Sequence, residues 1–160
     1  MELPGLLIVG FAPGLFWLWL IYQQDRYLPS PTSLVVRTFL WGIGVALPIA
    51  LVEGVLTGFD DLGKLVKPGA SPLTLAYVAF VVAGGVEELG KYLVVRRTVY
   101  TSPYFLEPKD GLIFAAAAAL GFASLENVFY MLELGWEVVL LRGPMSTLAH
   151  VTFSALWGFA

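Results

Sequence analysis

Long runs of apolar residues, broken by short polar stretches, set the pattern of this chain. Several of these runs reach about 18 residues or more, the length that predicts helices crossing a membrane. Five segments stand out: about Leu3 to Tyr22, about Leu34 to Leu56, one within Leu73 to Tyr100, about Gly111 to Leu132, and one that starts near Pro144 and is still apolar at Ala160. The fifth has about 17 residues before the sequence stops, the lower limit for a span. The expected fold is an all-α integral membrane bundle of about five transmembrane helices, forming one membrane-embedded unit over residues 1–160 and cut in or after the fifth helix. The start, MELPGLLIVG, has no basic residues before its apolar run and reads as a first membrane helix rather than a cleaved signal.

Turn residues mark the connections. The first, residues 23–33, holds Pro29 and Pro31; the second is residues 58–72, the third residues 101–110, and the fourth residues 133–143, whose apolar stretch is expected in the membrane interface. Arg26, Arg37, Arg96, Arg97 and Lys109 lie in or beside connections one and three, against Lys64, Lys67 and Arg142 on the other side. That bias places connections one and three in the cytoplasm and the N-terminus outside.

Composition agrees with the pattern. The chain is 58% hydrophobic and 13% charged, where a soluble domain carries roughly 25% charged residues. The net charge of −3 and the lack of a basic patch argue against nucleic-acid binding. With no cysteine and one histidine, a metal site here has only carboxylates and that histidine to draw on.

Against this apolar background, a few ionisable residues are out of place. Each costs about 3 kcal/mol at the centre of a membrane helix, and such residues usually serve function. The third segment contains GGVEELGKYLVV. Glu87 and Glu88 lie four and three residues before Lys91, so both pairs can meet on one helical face. One carboxylate can then be neutralised while the other acts as acid or base, or the three form a structural ion pair. The fourth segment contains AAAAALGFASLENVFYM, with Glu126 and Asn127 as its strongly polar pair. The alanines from Ala115 to Ala119, with Gly121, let neighbouring helices approach and shut lipid away from Glu126. In the fifth segment, Ser146, His150 and Ser154 recur every four residues on one face, bordered by Thr147. Glu53, near the outer end of the second segment, reads as a headgroup-level carboxylate.

At about 1.5 Å per residue, Glu126 and His150 both lie roughly 9 Å below the outer surface, whereas Glu88 lies roughly 22 Å from Leu73. The levels agree better if the third span starts near Val78, or if Gly84 and Gly85 tilt or break the helix. Glu88 and Glu126 are expected to face each other across a shared cavity opening nearer the outer face.

Together these segments resemble the PrsW family of membrane proteases. The family's Glu-Glu-x-x-Lys motif is matched by Glu87, Glu88 and Lys91, and its Gly-Phe-Ala-x-x-Glu-Asn motif by Gly121, Phe122, Ala123, Glu126 and Asn127. Its histidine on a small-residue helix is matched by His150, and its Asp-Arg-Tyr loop by Asp25, Arg26 and Tyr27. The family continues into a further helix with a histidine-containing polar site, which this sequence does not reach. The resemblance implies a multi-pass protein of a prokaryotic plasma membrane that hydrolyses a membrane-tethered protein, an anti-sigma factor in the founding role. It implies catalytic roles for Glu87, Glu88, Lys91, Glu126, Asn127 and His150. In a metal version, zinc is bound by Glu88, Glu126 and His150, with Glu87 as base. In a metal-free version, Glu87 or Glu88 activates water, and Asn127 and His150 stabilise the oxyanion. Two rival classes keep the same residues: a non-enzymatic scaffold or sensor with a buried, dry network, and a proton-coupled transporter. The second would need polar groups along a whole path, whereas these cluster at one level.

Overall fold

The computed structural model describes residues 2–25, 29–58 and 68–159, and every regular element among them is helical. Arg26, Tyr27, Lys64, Lys67 and Ala160 lie outside the described residues. Helix α1 spans Leu3–Tyr22 and α2 spans Thr32–Leu56. Helix α3 is continuous over Pro72–Thr98. Its first turn, Pro72–Ala76, is capped by Ser71, which accepts from the Thr74 N–H at 3.0 Å. Helix α4 spans Pro108–Leu134 and α5 spans Val138–Gly158.

Helix α4 starts earlier than its apolar run because the segment Glu107-Pro108-Lys109-Asp110 forms a reciprocal cap. Glu107 is the N-cap, Pro108 takes the first position where no N–H is needed, and the Asp110 carboxylate accepts from the Glu107 N–H at 2.8 Å. The helix ends at Gly135, whose φ of 95° suits glycine. Helix α5 departs from expectation. The stretch assigned to an interfacial connection is its first turn and a half, so it starts at Val138 and Pro144 lies inside it. Proline is the usual sign of a helix start, but VVLLRG is apolar enough to be helical in a bundle, and Pro144 leaves only the Leu140 carbonyl without its helical partner.

Helices α1, α2, α3 and α4 are each long and apolar enough to cross a membrane. Helix α5, with 21 residues, is more polar because of the stripe it carries. Its outer face is still built for lipid: Met145 and Leu156 are 76% and 72% exposed, alongside Ile8 on α1 and Phe80 on α3 at 72% and 78%. So much exposed apolar surface has no place in water and is ordinary in a bilayer.

Helix α4 is the axis of the bundle, with 78% of its apolar window buried against 17–22% for α1, α2 and α3. It packs on α1, α2 and α5, and Ala115 to Ala119 are all fully or almost fully buried. Glycines let the axes close in. A Cβ on Gly121 would overlap the Phe39 carbonyl of α2, one on Gly42 would overlap the Ala118 carbonyl of α4, and one on Gly111 would overlap the Gly158 carbonyl of α5. Because the obstacle is backbone, Gly121→Leu is expected to force α2 and α4 apart at a cost of about 1–3 kcal/mol or more. Gly44→Leu on the same α2, where a Cβ meets nothing within 4 Å among the described residues, is the control. Thermal melting in detergent should drop for the first and hold for the second.

Candidate active site

Three helices converge on one buried polar cluster. From Tyr77 to Glu87, α3 is wound as a π-helix, and it returns to α-geometry at Glu88. A π-helix bonds i to i+5 and advances less per residue, which shortens the climb from Leu73 to Glu88 that the α-helical rise overstated. Gly84 and Gly85 sit within this stretch; a Cβ on Gly84 would lie 2.8 Å from the Ala79 carbonyl oxygen. Wide turns of this kind are rare and frequent at functional sites.

Lys91 is the centre of the cluster and is 0% exposed. Its Nζ donates to Glu87 Oε2 at 3.1 Å, to Glu88 Oε1 at 2.6 Å and to His150 Nδ1 at 2.8 Å. The face of Phe122 lies 4.5 Å from the same ammonium. An ammonium has no lone pair, so Nδ1 must be the acceptor. The neutral ring then carries its proton on Nε2, which donates to Glu126 Oε2 at 2.8 Å. Nδ1 and Glu87 Oε2, 3.4 Å apart, are thus two acceptors sharing one lysine.

The carboxylates differ in their surroundings. Glu88 is held at both oxygens: Oε1 by Lys91, and Oε2 by the Ser154 hydroxyl at 2.6 Å and the Trp157 indole N–H at 2.9 Å. Glu126 accepts from His150 at one oxygen and from Arg142 Nη2 at the other, again at 2.8 Å. Glu87 bonds to Lys91 at 3.1 Å, with the Glu53 carboxyl of α2 nearby. Lys91 is sealed, but the side chains of Glu87, Glu88, Glu126 and His150 keep 10%, 18%, 19% and 11% of their surface accessible.

Five of the six expected residues therefore meet: Glu87, Glu88, Lys91, Glu126 and His150. Asn127 instead donates to Thr147 at 3.3 Å, clamping α4 to α5, and its buried Oδ1 has no hydrogen-bond partner among the described residues. Glu88 and Glu126 do not face each other across open space; the imidazole of His150 and the Lys91 ammonium stand between them. One ligand atom each from Glu87, Glu88 and His150 lies within 4.8 Å of the other two, a group that can hold a metal ion. This differs from the expected set of Glu88, Glu126 and His150, because Glu126 binds the far nitrogen of the ring. Glu126 thus takes the place of a carboxylate that fixes the tautomer of a ligating histidine. Two carboxylates and an imidazole suit zinc, and Lys91 already keeps a cation between them.

Glu53 and Arg142 join the cluster unforeseen. Arg142 extends the four-residue rhythm of Ser146, His150 and Ser154 by one turn, a signal legible once α5 is allowed to begin before Pro144. A separate groove of about 490 Å³, lined by Ile8, Pro13, Trp17, Val139 and Pro144 among others, is apolar and includes none of these residues.

The model of PrsW family intramembrane metalloproteases matches residues 30–160. Protease PrsW of Geobacillus kaustophilus (strain HTA426) is 36% identical over 155 residues, covering 97% of this chain and 64% of that protein. Protease PrsW of Clostridioides difficile (strain 630) is 35% identical over 163 residues, with 99% and 64% covered, and that of Bacillus subtilis (strain 168) is 30% identical over 155 residues, with 97% and 66% covered. The chain spans just under two thirds of the length of these relatives. No solved structure matches it significantly.

Proposed function

The chain belongs to the PrsW family of intramembrane metalloproteases, and from that premise we propose that it hydrolyses a peptide bond of a membrane-tethered protein, of the anti-sigma-factor kind, within a prokaryotic plasma membrane. The observation that supports this most is the convergence of Glu87, Glu88, Lys91, Glu126 and His150 from three helices into one partly accessible cluster. A purely structural clamp would be sealed, whereas here the side chains of Glu87, Glu88, Glu126 and His150 keep between 10% and 19% of their surface accessible.

Peptide hydrolysis needs a base for water, a charge to meet the oxyanion, and a proton for the leaving amine. Glu87 is the base. Its partner Lys91 is ionisable and can pass a proton, while Glu88 is fully engaged by Lys91, Ser154 and Trp157. Glu87 takes the proton of water and returns it to the amine nitrogen as the C–N bond breaks. Lys91 lies beside the developing negative charge and stabilises it. Glu126 holds His150 in the Nε2–H tautomer, so that Nδ1 keeps its lone pair toward the glutamates.

A second reading is favoured by the donor group itself. Glu87, Glu88 and Nδ1 of His150 would hold a divalent ion such as zinc, which supplies a Lewis acid and a more acidic water. In that arrangement Lys91 gives up the place its ammonium occupies.

The test is cleavage of a model single-span substrate by the purified protein, with Glu88→Gln and His150→Ala in parallel and a chelator added to each. Loss in both variants is expected. Chelator-resistant cleavage by the native chain supports the glutamate-activated water, and chelator sensitivity supports the metal-holding arrangement. Unchanged cleavage in both variants would remove this cluster from consideration.

A further inference from the structure

Arg142 stands on α5 in the stripe that carries His150, two turns closer to the N-terminal end of the helix. Its guanidinium lies between two groups of α4. Nη2 donates to Glu126 Oε1 at 2.8 Å, and the guanidinium carbon sits 3.5 Å from the ring centroid of Tyr130. Tyr130 is one helical turn beyond Glu126, so a single arginine spans both residues of that turn. Glu126 has only two oxygens, and Arg142 takes one. The other is left to the Nε2–H of His150.

A carboxylate held at a single point turns about its Cγ–Cδ bond; one held at both oxygens does not. The cation on Oε1 keeps Oε2 aimed at the imidazole, and this aim acts together with the Lys91 ammonium on Nδ1 to fix the tautomer of His150. We propose that Arg142 is a positioning residue of this site: it locks the Glu126 carboxylate, and through it the His150 ring, so that the Nδ1 lone pair faces Glu87, Glu88 and Lys91. The proposal rests on the hydrolytic reading above for its consequence in cleavage, but its structural content is independent of it. The arrangement serves equally a glutamate-activated water and a bound ion, since both need Nδ1 free of hydrogen.

The chain has a single histidine, so ¹⁵N-histidine labelling of the full chain in bicelles gives one imidazole to observe. The native chain is expected to show a protonated Nε2 and an unprotonated Nδ1. Arg142→Gln is expected to mix the tautomers and to lower kcat for a single-span substrate by about 10-fold or more, the usual effect of losing an outer-shell partner, with KM changed far less. Arg142→Lys keeps the charge without the fork and should fall between the two. It also serves as the reporter if the glutamine variant fails to fold. A Glu126→Gln, Arg142→Gln double variant should be no worse than Glu126→Gln alone, because the arginine acts only through that carboxylate.

Native imidazole signals in both arginine variants, alongside shifted signals in Glu126→Gln, would overturn the proposal. Additive losses in the double variant would overturn it as well. If the native chain cleaves nothing yet its tautomer is as stated and changes in Arg142→Gln, the positioning role stands and the hydrolytic reading falls.

Discussion

Lys91→Met is expected to be among the most destabilising single changes in this chain and, at the same time, to create its best cation site. The ammonium is 0% exposed and serves three acceptors, at 2.6, 2.8 and 3.1 Å. Removing it leaves two carboxylates and an imidazole lone pair turned toward one another in a low-dielectric interior. Breaking a buried ion pair from one side costs about 3–5 kcal/mol. A divalent cation can relieve the same repulsion, because the group that can hold a metal comprises the same three residues that bind Lys91. The melting temperature in detergent should therefore drop sharply for Lys91→Met and recover with added zinc, while zinc raises that of the native chain less. A Lys91→Met protein that melts like the native chain, or one indifferent to zinc, would mean that the lysine does not hold these groups together.

The second large effect separates the two adjacent glutamates. Glu87→Gln is expected to reduce cleavage by about 10²–10⁴-fold, the range for loss of a general base, and to leave folding nearly unchanged. Glu88→Gln should reduce both. The Glu88 carboxylate accepts from three donors, Lys91, Ser154 and Trp157. An amide has one oxygen to offer and puts an NH₂ where an acceptor is needed. Melting curves measured beside cleavage rates resolve the two cases. Equal melting losses in both variants would mean that Glu87 is as structural as its neighbour and would move the base elsewhere.

Much of this was readable from residue order. Apolar runs marked α1 and α2 almost to their ends, because nothing but lipid competes for them. The spacing of Glu87, Glu88 and Lys91 placed all three on one face, as the two Lys91 ion pairs show. The four-residue rhythm of Ser146, His150 and Ser154 marked the inner face of α5. What stayed hidden depends on how helices meet. Arg142 read as a loop cation because Pro144 looked like a start signal, and only packing against α4 shows that the helix begins earlier. Glu53 read as a headgroup-level carboxylate because residue order does not say which way α2 turns toward α3. Glu126 was expected beside Glu88 as a ligand. The ring of His150 has two nitrogens, and which one faces which carboxylate is set by the crossing of α4 and α5. That crossing is itself made close by Gly111 and Gly158. The π-helical stretch of α3 left no clear trace beyond Gly84 and Gly85, and an α-helical rise accordingly set Glu88 too deep.

The most direct test of the central claim is mass spectrometry of a single-span model substrate incubated in H₂¹⁸O with the native chain and, separately, with Glu87→Gln. The account predicts two fragments with the native chain, with heavy oxygen in the new carboxyl group of the N-terminal piece, and intact substrate with the variant. Intact substrate with the native chain, or the same labelled fragments with Glu87→Gln, would contradict it.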